Sequence, residues 1–200
     1  IILAISGAVA LLINSKTESN QNHKNNKLMP ETIKESSNID MLDNKFKYEF
    51  FTLENGLEVI VIPNHRVPAI MHMLWYKVGG IDEINGKTGL AHYLEHLLFH
   101  GTKKYPKDEM DKLISSFGGS HNAFTSYDFT CYYQNIPKEY LENVMDMESD
   151  RMRNIILEEE QTKIERDIVL EERLMRRDNS PKAVLGEKLR AALYGEDHPY

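Results

Sequence analysis

The sequence predicts an α+β fold, with helices packed on a mainly antiparallel sheet. Strand-like segments come first and helical segments follow, a segregation that favours α+β over an alternating parallel sheet. An Asn55-Gly56 pair separates two short β-rich runs, the usual sign of a tight hairpin. The later segments are punctuated by Pro near their starts and Gly just past their ends, the asymmetry expected of helices.

Residues 1–13 form an apolar run, too short for a membrane helix of about 20 residues but of the length of a signal-peptide core. They are expected to be either such a core or an uncleaved N-terminal anchor. Both imply an exported protein, periplasmic or tethered to a membrane and facing away from the cytoplasm. Residues 14–45 are rich in Asn, Lys, Ser and Glu and poor in apolar side chains, so a disordered polar linker is expected there. The folded part, 46–200, then reads as strands near 47–53, 57–63 and 69–78, a loop over 79–88 and a helix over 89–100. A second helix is expected over 107–117, stopped by Gly118-Gly119, followed by strands near 120–126 and 129–136. Pro137 opens a helix that runs to about 154, and Glu158 to Arg177, free of Gly and Pro, reads as a long helix. A last helix covers about 181–193, from Pro181 to near Gly195.

The chain has 200 residues, 41% of them hydrophobic and 28% charged, which fits a globular protein of one large or two small domains. A net charge of −7 gives nucleic-acid binding no electrostatic support, and no Gly-rich phosphate loop is present. The single cysteine, Cys131, excludes an intrachain disulfide; within Phe129–Tyr133 it reads as a packed, inert thiol in a buried strand.

The segment His92-Tyr93-Leu94-Glu95-His96 carries the chemistry. Two histidines four apart on a helix share one face, about one turn from each other, so one metal ion can take both imidazoles. With a glutamate between them this is H-x-x-E-H, the inverted order of the zinc-peptidase motif, in which the histidines bind zinc and the glutamate handles the proton of the attacking water. At this composition the pattern is expected by chance only about 0.03 times. The flanking residues, Leu90, Ala91, Leu97, Leu98 and Phe99, are apolar, so the helix is expected to be buried and its polar side chains to need partners. His100 extends the series, but eight helical residues rise about 12 Å, too far for one ion with bonds of about 2.1 Å. It is therefore read as a surface or packing residue, with Gly101 ending the helix.

A catalytic zinc takes three protein ligands. On the helix 158–177 the stripe Gln161, Glu165, Ile168, Glu172, Met175 is expected to face inward, which leaves Glu165 and Glu172 as candidates, while Glu158, Glu159, Glu160 and Glu171 read as solvated.

The chain resembles the pitrilysin/insulinase family of zinc metallopeptidases, the inverzincins. The likeness lies in His92–His96 with Glu172 after 75 intervening residues, and in Glu165-Arg166-Asp167-Ile168-Val169-Leu170-Glu171-Glu172, similar to the family's E-R-x-x-V-x-x-E segment. The hairpin 52–59, Val78-Gly79-Gly80, Gly89-Leu90-Ala91, the exit 96–102 and Gly118 to Ser126 match as well, so the likeness covers about 46–200. It implies one Zn²⁺ held by His92, His96 and Glu172, with Glu171 as the fallback ligand, Glu165 accepting the second N–H of a histidine ligand, and Glu95 as general base. It implies that the strand at Asn122, Ala123 and Phe124 pairs with an extended substrate, a short or unfolded polypeptide; a core-facing Phe124 and a turn or capping Asn122 are the competing readings. The family fold is two similar halves closing like a clamshell, and this chain corresponds to an incomplete first half. The resemblance allows a homo- or hetero-dimer with another such subunit. It leaves one alternative to a zinc endopeptidase, a non-catalytic zinc-binding scaffold subunit of a pitrilysin-like heterodimer.

Overall fold

A computed structural model describes residues 8–14, 48–195 and 198–200, the first segment by its backbone path alone. Its strands are β1 (Ala8–Asn14), β2 (Glu49–Thr52), β3 (Glu58–Pro63), β4 (Ala69–Tyr76), β5 (Ser120–Thr125) and β6 (Thr130–Pro137). Its helices are α1 (Leu90–Leu97), α2 (Glu109–Ser116), α3 (Leu141–Asn154), α4 (Glu159–Arg173) and α5 (Pro181–Tyr194). The class is α+β, as expected. Each predicted element of the folded part is present, its ends within three residues of those expected or finished in a tighter or wider turn. Helix α1 ends in a 3₁₀ turn, Leu98–His100, and α4 in a π turn, Leu174–Asp178.

The six strands form one sheet in the order β2-β3-β1-β4-β6-β5. β2 and β3 pair antiparallel across the turn that holds Asn55 and Gly56, where Gly56 sits at φ +85 and Asn55 Oδ1 accepts from Leu57 N–H at 3.1 Å. β1 lies between β3, to which it is parallel, and β4, to which it is antiparallel. Thus Ala8–Asn14 takes strand geometry within a segment the sequence assigned to a leader or anchor. Val9 and Ile13 are β-branched, which suits a strand. The linker expected over 14–45 lies, from residue 15 on, outside the described residues. No helix among the described residues is long and apolar enough to cross a membrane.

The described residues fall into two units. One is drawn from Ile1–Tyr76, Leu113–Asn122 and Tyr132–Met145, the other from Lys77–Lys112, Ala123–Cys131 and Asp146–Tyr200. In the first, β4 alternates strictly, burying Ile70, His72, Leu74 and Tyr76 and leaving the residues between them less covered. That period of two gives a sheet one buried face. His72 sits among apolar neighbours because Gln134 Oε1 lies 2.8 Å from its Nδ1, giving a desolvated ring a polar partner. Tyr76 meets Tyr132 edge-to-face at 5.7 Å, and Ile114, Ile136 and Val144 are also buried.

The second unit holds α1, α4 and α5, with α1 packed on α4. Its buried side chains include Ala91, Leu97 and Met147 together with several polar groups. Cys131 is fully buried there, and burial, with Glu148 adding to it, pushes its thiol up to about 12. It is therefore the inert, packed thiol expected.

Candidate metal centre and active site

The helix bearing the motif is tied down at both ends. Gly89, in the left-handed region at φ 95, turns the chain into α1. The Glu83 carboxylate accepts the backbone N–H groups of Gly89 and Ala91, each at 2.7 Å, supplying acceptors for orphan donors at the positive end of the helix. Upstream, the Gly80 and Ile81 N–H groups donate to the Ser126 and Tyr127 carbonyls at 3.1 and 3.0 Å. Any side chain at Gly79 would meet the Tyr127 carbonyl oxygen, 2.3 Å from an ideal Cβ. The loop is thereby clipped to the turn after β5. At the far end Gly101 has φ 87, and a Cβ there would lie 2.5 Å from the Tyr105 carbonyl oxygen, so glycine ends the helix for both reasons.

α1 is not buried on all sides: Ala91, Glu95 and Leu97 are covered, whereas Leu90 is half exposed at its open first turn. On the face toward α4, His92 Nε2 and His96 Nε2 lie 3.3 Å apart, with the rings edge-to-face. Glu172 reaches them from α4, its Oε2 3.3 Å from His96 Nε2 and its Oε1 3.8 Å from His92 Nε2. The three offer ligand atoms all within 4.8 Å of one another. Tetrahedral zinc with bonds of about 2.1 Å separates its ligand atoms by roughly 3.4 Å, so the donor set and its spacing fit that ion. Glu171 is exposed and takes no part in this grouping.

Glu165 accepts from His96 Nδ1–H at 2.8 Å, which leaves the Nε2 lone pair of His96 facing His92 and Glu172. Burial pushes the Glu165 carboxyl up, but hydrogen bonds from His96 and His100 outweigh it and hold the group below the ordinary carboxylate value. Arg176 Nη1, 2.6 Å from Glu172 Oε1, also holds that carboxylate.

Glu95 lies outside the ligand grouping and is buried. The Thr125 hydroxyl, at the end of β5, donates to Glu95 Oε2. Thr130, 3.3 Å from Thr125, donates in turn to the Val78 carbonyl at 3.0 Å. One carboxylate oxygen of Glu95 is thus held by the strand that terminates the sheet.

Two expectations change. The predicted stripe on α4 is only partly inward: Gln161, Glu165 and Glu172 are half-buried, but Ile168 and Met175 are 47% and 67% exposed. At 100° per residue, Ile168 and Met175 sit roughly 60° and 80° to one side of Glu165, beyond the arc that meets α1, while Val169 falls inside it. His100 is not a surface residue. It is buried, its Nε2 2.9 Å from Glu165 Oε2 and its Nδ1 3.0 Å from Gln161 Oε1. The spacing held the signal, since His100 is four residues after His96 and Gln161 four before Glu165, each on the same face. Glu83 and Thr125 carried no comparable signal.

Of the residues expected to meet substrate, Asn122 is exposed, Ala123 half-buried and Phe124 39% exposed, the last edge-to-face with Phe129 at 5.9 Å. A core-facing Phe124 is thereby ruled out.

Residues 58–199 match the model of the insulinase family, peptidase family M16. The zinc protease PqqE of Helicobacter pylori is 38% identical over 155 residues, 77% of this chain and 35% of that protein. The human insulin-degrading enzyme is 37% identical over 105 residues, 52% of this chain and 10% of the enzyme. Among solved structures, a protease from Helicobacter pylori superposes with a TM-score of 0.67 at 40% identity, over 70% of this chain and 34% of that one. Pitrilysin superposes with a TM-score of 0.64 at 30% identity, over 86% of this chain and 18% of its own. The chain therefore spans about a third of the length of the first bacterial relatives it matches, and it belongs to the insulinase family, the zinc-protease family M16.

Proposed function

We propose that this protein is a zinc-dependent endopeptidase that hydrolyses peptide bonds of short or unfolded polypeptides, with His92, His96 and Glu172 as ligands and Glu95 as general base. The observation that carries the proposal is the separation of roles on α1. Two imidazoles and Glu172 converge on one point, while Glu95, between the histidines in sequence, stays outside that grouping with one carboxylate oxygen held by Thr125. Zinc bound there would polarise a scissile carbonyl and lower the pKa of water from about 15.7 toward about 7. Glu95 takes a proton from the attacking water and passes it to the departing amine. Glu165 keeps His96 in the tautomer that presents Nε2. β5 ends the sheet, and an extended peptide would add beyond it by backbone pairing, with Asn122, Ala123 and Phe124 along the contact. Such pairing reads backbone more than side chains, which favours unstructured substrates and loose sequence preference.

The test is chelator-sensitive cleavage of an unstructured fluorogenic peptide by the intact protein. Glu95→Gln should lower turnover about 10²- to 10⁴-fold while one zinc per chain is retained. Near-normal turnover would remove Glu95 from the base role; no cleavage by the zinc-loaded wild type would favour the scaffold reading, with a partner subunit supplying activity. Export or tethering through residues 1–13 is likewise a proposal. Removing them should release the protein from the membrane fraction, and membrane association that persists without them would end that reading.

A further inference from the structure

We infer that His100, with Gln161 behind it, is a positioning residue for the zinc site, acting on His96 through Glu165. The inference rests on the reading that His96 is a ligand. The Glu165 carboxylate is shared between two rings, Oε1 with His96 Nδ1 at 2.8 Å and Oε2 with His100 Nε2 at 2.9 Å. A carboxylate held at one oxygen alone swings easily, because its terminal torsion is broad and two-fold. A second partner on the other oxygen removes that freedom. His100 is itself held: its Nδ1 lies 3.0 Å from Gln161 Oε1, and the Gln161 amide nitrogen donates to Glu158 Oε2 at 3.2 Å, which turns the amide oxygen toward the ring. The His100 side chain is 5% exposed and that of Glu165 13%, so water cannot replace these partners freely.

The chain of contacts Gln161–His100–Glu165–His96 joins two elements. His100 comes from the 3₁₀ turn after α1, and Gln161 and Glu165 stand one turn apart on α4. It fixes the orientation of His96 from the side opposite the converging ligand atoms. Partners of metal-ligating histidines commonly change metal affinity 10- to 100-fold when lost. His100 acts one step further out, so the lower end is expected.

The experiment measures Zn²⁺ affinity of the intact protein by competition with a chromogenic chelator. His100→Phe, similar in size but without ring N–H groups, should bind zinc about ten-fold more weakly. His100→Gln, which keeps a donor able to reach Glu165, should recover most of that loss. Because the effect passes through Glu165, the double variant His100→Phe/Glu165→Gln should bind no more weakly than Glu165→Gln alone. Wild-type affinity in His100→Phe, or losses that multiply in the double variant, would overturn the inference. If His100→Phe does not fold, Gln161→Leu at the half-buried outer end decides: a loss of about two- to three-fold supports the chain, and no change overturns it. Thermal unfolding of the metal-free variants separates lost packing from lost positioning. A wild type that binds no zinc would overturn the metal reading itself, an outcome distinct from zinc-binding variants that ignore His100.

Discussion

Two polar groups in the second unit, one buried and one half-buried, contrast in how their charges are answered. On α3, Arg151 and Glu148 are 2% and 4% exposed and answer each other as a fork, with Nε–Oε2 at 3.1 Å, Nη2–Oε1 at 2.5 Å and Nη2–Oε2 at 2.6 Å. The guanidinium also lies 5.4 Å over the Phe99 ring. Donors meet acceptors and the charges cancel. At the α1–α4 contact, His92 Nε2, His96 Nε2 and a Glu172 oxygen come together as three possible metal-ligand atoms, with Arg176 paired to Glu172 beside them. In the first group each charge meets its opposite within the helix. The second is complementary to a cation. Burial of charge alone therefore does not single out a candidate site; the convergence of possible ligand atoms does.

The sharpest test of that contrast removes half of the closed pair. Arg151→Met should cost about 3–5 kcal/mol in urea unfolding, because it removes the opposite charge that faces the buried Glu148 carboxylate, and adding Glu148→Leu should recover much of it. A loss below about 1 kcal/mol would erase the distinction. At the open site the readout is affinity rather than stability. Glu172→Gln should weaken zinc binding by more than about 100-fold, beyond what outer partners supply, whereas the exposed Glu171→Gln should leave it unchanged. The reverse result would move the ligand by one residue. The smallest expected effect concerns the base. Thr125→Val removes a hydrogen bond to a charged group, worth about 1.5–3 kcal/mol. It should lower kcat about ten-fold or somewhat more at unchanged KM and zinc content, and Thr125→Ser should restore it. A KM effect alone would make Thr125 a substrate contact rather than a support for Glu95.

Much of this was legible in the chain because it is local. His92 and His96 share a face by helical spacing alone, and Asn55-Gly56 and the Pro and Gly punctuation place the elements within a few residues. Periodicity offered Glu165 and Glu172 together, and the family resemblance chose between them. The errors were also periodic in origin. Spacings of three and four placed Ile168 and Met175 on the same stripe as Glu165, but the arc that meets α1 is narrower than that stripe. For His100 the sequence left a surface and a packing role open, and burial against Gln161 and Glu165 selects packing.

The residues alone determined the class of the fold, the order of its elements, the histidine pair and the glutamate between them, since each depends on backbone periods of 3.6 or 2 that act within a turn or two. Only the tertiary structure decided which way Glu95 turns, what caps α1, and that Gln161 and His100 stand behind Glu165. The partners Thr125 and Glu95 are 30 residues apart, and His100 and Glu165 are 65 apart. No short-range period links such positions. They meet because burial leaves each polar group needing a partner, and the packing of α1 against α4 and the end of β5 determines which one is within reach.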